Sequence, residues 1–116
     1  MSIEELMRIS KALKGVTTGI KWEEHLCFNV GEKIFLLTAP DQVPPNASFK
    51  VTEEDFDSLT ELDGISQARY FAKRQWVTVD DINRLSGEEW EQYIEESYRL
   101  VASKLTKKKR IELGIE

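Results

Sequence analysis

Leu26, Phe28 and Val30 alternate with Cys27 and Asn29, and Gly31-Glu32 then leads into a second apolar run, Lys33 to Thr38. A period of two places alternate side chains on opposite faces, which is the pattern of a strand. Two residues suffice to turn one strand back on another only if positive φ is available, and Gly31 supplies it at the first position. The pair therefore predicts a hairpin, and a hairpin commits the chain to antiparallel pairing. The return run looks buried on both faces.

The remaining segments divide around that hairpin. Ser2 with Glu5 forms a capping-box pattern, and Ile3, Leu6, Met7 and Leu13, with Ser10 between them, share one helical stripe. Gly15 is placed to end this helix near Lys14. Lys21 to Glu24, which carries Trp22, is expected to be a connector. Pro40, Pro44 and Pro45 exclude regular pairing from Ala39 to Asn46, and Ala47 to Val51 is expected as a third strand. Thr52 and Asp55 start a second helix with Phe56, Leu59 and Leu62 facing inward, and Gly64 closes it. Ile65 to Ala68 reads as a connector. Tyr70–Ala72 and Trp76–Val79 then read as a second hairpin bent near Lys73-Arg74-Gln75, and Asp80 to Leu85 as loop. Ser86 and Glu89 repeat the capping box. The helix they open carries Trp90, Ile94, Ser97, Val101 and Leu105 on one face, flanked by Tyr93 and Tyr98. Thr106 caps a short last helix anchored by Ile111 and Leu113. The expected order is α-β-β-β-α-β-β-α-α: an α+β fold with an antiparallel sheet packed by helices on one face.

A chain of 116 residues fits a single domain spanning 1–116. No apolar run approaches a membrane span, and Met1-Ser2-Ile3-Glu4-Glu5 lacks the features of a signal peptide. Cys27 stands alone, so no internal disulfide forms, and a cytoplasmic protein is expected. The net charge is −5, which opposes nonspecific attraction to phosphate. That total hides a polarity. Arg69–Val79 and Arg99–Arg110 contain no acid, and hold three and six of the 16 basic residues. The rest of the chain then sets seven bases against 21 acids.

Several motifs, in this order, resemble the MmcQ/YjbR family of small bacterial proteins. They are Val30-Gly31-Glu32-Lys33-Ile34-Phe35, Phe49-Lys50-Val51, Arg69-Tyr70, Trp76-Val77, Ser97-Tyr98-Arg99-Leu100-Val101 and Leu105-Thr106-Lys107-Lys108-Lys109-Arg110. The resemblance runs from Ser2 to about Leu113. It implies a double-wing α+β architecture, also likened to secretion chaperones, and a DNA-binding label that rests on fold analogy. Lys14-Gly15-Val16 stands where many members have Pro-Gly. Ser66-Gln67-Ala68-Arg69-Tyr70 stands where many have a proline-rich approach to the second hairpin.

Two groups of residues are candidates for a binding face. Lys107, Lys108, Lys109 and Arg110 suit phosphate, since arginine forks the anion and lysine adds point charge; the bland alternative is a solvated terminal face. Arg69, Tyr70, Phe71, Lys73, Arg74 and Trp76 combine cations with rings on which bases stack. The competing account places Trp76, and Tyr70 with it, in the core, with the cations merely solubilising a hairpin edge.

Other constellations point to nothing catalytic. His25 and Cys27 share one face of a strand, yet zinc needs three or four protein ligands and no second His or Cys exists. Glu23 and Glu24 would complete only an unusual mixed site. The acids Glu53, Glu54, Asp55 and Asp57, and Glu88, Glu89 and Glu91, lie mostly in first helical turns, where they complement the helix dipole.

The expectation is therefore a non-enzymatic binding module without metal or cofactor, whose partner is DNA or RNA. The alternative is a protein–protein adaptor or chaperone-like protein with no nucleic-acid role. No membrane and no small-molecule substrate is implied.

Overall fold

The structure, a computed structural model, describes residues 2–21 and 24–115. Trp22 and Glu23 lie outside the described residues. In chain order the elements are α1 (Ile3–Lys11), β1 (Val16–Lys21), β2 (His25–Val30), β3 (Lys33–Ala39), β4 (Asn46–Lys50) and α2 (Glu53–Thr60). There follow β5 (Ile65–Gln67), β6 (Trp76–Val79), a 3-10 turn (Ile82–Arg84), α3 (Gly87–Ala102) and α4 (Lys107–Glu112). The strands form one antiparallel sheet of six in the order β1-β2-β3-β4-β6-β5. Leu6 of α1, Leu59 of α2 and Trp90, Ile94 and Val101 of α3 meet Phe28, Leu36, Phe49 and Val77 of the sheet in one core. This is the α+β arrangement the sequence predicts, with three departures.

One strand has no signal in the sequence. Val16–Lys21 pairs with β2 along its whole length, from Val16↔Val30 to Lys21↔His25. Ile65–Gln67 is not a connector but the opposite edge strand, paired with β6. Tyr70–Ala72 is not a strand: Tyr70 and Arg74 both take positive φ, 69° and 63°, which breaks extended pairing. The second hairpin is thus formed by β5 and β6 across a long turn.

The helix starts follow their caps. Ser86 and Glu89 complete a capping box, and the hydroxyls of Ser2 and Thr52 accept from the backbone N–H of Glu5 and Asp55 at 3.2 and 3.1 Å. In the first hairpin turn both residues have positive φ, 56° at Gly31 and 69° at Glu32, the requirement of a type I′ turn. A Cβ on Gly31 would meet Leu105 at 2.7 Å, so this turn seats against the junction of α3 and α4.

One buried polar group fixes how α3 crosses the sheet. A bulge between β2 and β3 leaves Phe35 without a pairing partner, and its carbonyl accepts from Ser97 Oγ at 2.6 Å. The same hydroxyl accepts from the backbone N–H of Lys50 at 2.9 Å. Ser97 therefore ties α3 to the start of β3 and the end of β4.

The contact between α2 and α3 carries a strain of its own. Partial burial and a hydrogen bond with Asp55 push the Glu96 carboxyl above its ordinary pKa. A raised acid favours the protonated folded state, so stability is lost as pH rises through that pKa. Glu96→Gln keeps a donor for Asp55 without the like charge. It is expected to stabilise by a few tenths of a kcal/mol at pH 7, or about 2 °C in a thermal melt. The gain should shrink as the pH falls and Glu96 of the natural chain takes up its proton.

Candidate nucleic-acid interface

The two acid-free stretches meet. Phe71 and Trp76 of the first and Val101 and Lys104 of the second line one cavity of about 400 Å³, together with Glu32, Lys33, Ile34 and Lys50. It lies where β3 begins, β4 ends and β6 begins, beside the last turn of α3. Its charge comes from three single lysines on three different elements. Lys33 opens β3, Lys50 closes β4 opposite Trp76, and Lys104 follows α3. Glu32 is the one acid among the lining residues. Burial, then Lys104, then Lys33 push the Lys50 ammonium below its usual pKa. Like charges held together against solvation cost stability, and groups perturbed in this way are enriched at functional sites.

The two rings divide their roles. Trp76 is 7% exposed, and Phe71 stacks on it with centroids 4.2 Å apart and planes at 21°. Trp76 is a support, while Phe71 is half-buried and faces the cavity. Tyr70, by contrast, is 89% exposed.

The remaining expected site residues are placed as follows. Arg69 and Tyr70 line a second groove, on the sheet face opposite the helices. Lys73 is exposed. Arg74 is engaged elsewhere: its guanidinium forks Asp57 at 2.9 and 3.1 Å and reaches Glu53 at 3.3 Å. The Asp57 hydrogen bonds, then those to Glu53, raise its pKa. A phosphate would have to displace both carboxylates, so Arg74 braces the loop against α2. Lys107 and Lys108 are exposed at the start of α4, where Thr106 accepts from the N–H of Lys109 at 3.1 Å. Arg110 is half-buried and donates to the Leu105 carbonyl at 3.1 Å, which fastens α4 to the end of α3.

Cys27 is buried, and burial pushes its thiol up, against a lesser opposing effect of Lys21. Among the described residues no group of three or more His, Cys, Asp or Glu side chains is placed to hold a metal ion. Among them too, no helix is long and apolar enough to cross a membrane.

An α+β protein with a six-stranded antiparallel sheet and a lysine-rimmed aromatic cavity is thus the class defined. Two solved structures share the architecture. A crystal structure of a Deinococcus radiodurans protein with a DUF419 domain is 28% identical, with a TM-score of 0.89 over 99% of this chain and 89% of that one. A Pseudomonas syringae protein solved by a structural genomics consortium is 22% identical, with a TM-score of 0.72 over 87% of this chain and 99% of that one, a likeness of fold. None of the curated proteins matches the chain. The model of the YjbR family matches residues 11–100, and the chain belongs to that family.

Proposed function

We propose that the chain is a non-enzymatic module that binds nucleic acid at the lysine-rimmed cavity. The observation that supports this reading most is the convergence of Lys33, Lys50 and Lys104 around Phe71, on a protein whose net charge is −5. In this reading the three ammonium groups take backbone phosphates, and exposed Lys107 and Lys108 on α4, with Lys73 on the loop, extend the positive field. Trp76 supports the Phe71 ring, and Arg74 shapes the loop that carries it. A lone cysteine, buried and unbridged, fits a reducing compartment such as the cytoplasm.

Equilibrium binding of a labelled mixed-sequence oligonucleotide tests the reading. Three phosphate contacts give a slope of log K against log salt of about −2 to −3. No detectable complex at low salt removes the proposal. The protein adaptor would then stand in its place, favoured by the edge strand β1, where Ile20 is 77% exposed.

A further inference from the structure

The lysine cavity leaves the second groove unexplained. Its floor is a row of side chains in register across four strands, Leu37, Ser48, Thr78 and Ser66, on the face that carries no helix. Ser48 Oγ and Thr78 Oγ1 are hydrogen-bonded at 2.7 Å. On one wall Asn46 Nδ2 donates to Gln42 Oε1 at 2.9 Å; the other wall is Arg69, Tyr70 and Phe71. The groove, open along one side, has a volume of about 440 Å³, within the range of small-ligand sites.

The aromatic wall is held in place. Gln67 Nε2 donates to the Ala68 carbonyl at 2.9 Å and to those of Phe71 and Ala72 at 3.4 Å, while Gln67 Oε1 accepts from the N–H of Arg74 at 2.9 Å. Tyr70 keeps a left-handed φ of 69°, unfavourable for a residue of its size, with 89% of its surface in solvent. Phe71 lines this groove and the lysine cavity alike. Phe71 thus stands between a cavity rimmed by three lysines and a groove lined by amides, hydroxyls, a phenol, His25 and Arg69.

We propose that this groove receives an unpaired base, so that the ligand is a single strand whose phosphates lie at Lys33, Lys50 and Lys104 and whose base passes Phe71 to stack on Tyr70. This rests on the nucleic-acid reading above and narrows it. Lysines alone accept a duplex as readily. A base inside a duplex is stacked above and below and presents only its edge, so it does not enter a walled groove, whereas an unpaired base offers a ring face to Tyr70. The side-chain amides of Gln42 and Asn46 and the Ser66 hydroxyl line the groove within the space such a base would occupy.

Fluorescence anisotropy with one mixed-sequence oligonucleotide, as a single strand and as a duplex with its complement, tests the inference. The single strand is expected to bind at least tenfold tighter, given roughly 1–3 kcal/mol per stacked base. Tyr70→Asn removes the ring while suiting the left-handed backbone. It is expected to weaken the single strand about tenfold and to leave the duplex unchanged. Duplex binding equal to or tighter than single-strand binding overturns the inference and leaves the lysine site standing. So does a single-strand preference that survives Tyr70→Asn undiminished. Binding of neither form overturns both.

Discussion

A chain in which Lys33, Lys50 and Lys104 are all serine is expected to bind an oligonucleotide roughly a hundredfold more weakly at about 0.1 M salt, with a salt slope smaller by about two to three. The loss should be the same whatever the base sequence, because phosphate contacts carry no sequence information. The same variant is expected to melt at a higher temperature. In the free protein the three ammonium groups share one cavity, and the depressed pKa of Lys50 records the cost. Its sign is clear: a lysine lowered in the fold opposes folding while charged, so folded-state stability rises as pH climbs through that pKa. Opposite movements of affinity and stability distinguish a binding site from a structural charge cluster. A triple variant that loses stability as well as affinity would show that the lysines serve the fold.

The hairpin around Gly31-Glu32 and the four helix starts were legible because each carries a local signal: a period, a cap, a turn residue. The edge strands were not. Val16–Lys21 contains only two large apolar residues, Val16 and Ile20, with Gly19 in its interior, and half of its side chains or more face solvent. The period is lost where burial does not enforce it. Ile65–Gln67 is too short to show any period. Tyr70-Phe71-Ala72 misleads in the other direction, since aromatic residues suggest a strand and only the backbone φ at Tyr70 shows a turn.

The proposed site was legible in part. The acid-free stretch at the second hairpin led to Phe71 and Trp76, whereas Lys104 lies in the other stretch without standing out from it. Lys33 and Lys50 are single lysines at strand ends, and they come together only because β3, β4 and β6 are neighbours with Lys50 opposite Trp76. Nothing local records that register. The ion pairs of Arg74 are invisible locally for the same reason, because its partners Asp57 and Glu53 lie 17 and 21 residues away.

Trp90→Ala is expected to cost the fold at least 3–5 kcal/mol, the range for truncating a buried aromatic, against a total stability of about 5–15 kcal/mol. Trp90 is fully buried in the first turn of α3, with its ring centroid 5.4 Å from that of Phe49 and the planes at 68°. Its Nε1 donates to the Ile82 carbonyl at 2.7 Å, so truncation also orphans a buried acceptor. Trp90→Phe separates the two effects. It keeps a ring against Phe49 but loses the donor and part of the indole's volume, which predicts about 2 kcal/mol. Thermal melts of both variants, followed by circular dichroism, should fall by more than about 15 °C for alanine and by about half of that for phenylalanine. A drop of only a few degrees for alanine would place the ring outside the core. Phe49 precedes Lys50 on β4, so the Trp90 contact also seats the strand end that presents this lysine. Any nucleic-acid affinity that Trp90→Ala loses should therefore track its unfolded fraction and recover on cooling. Affinity lost with the lysines should not return at any temperature.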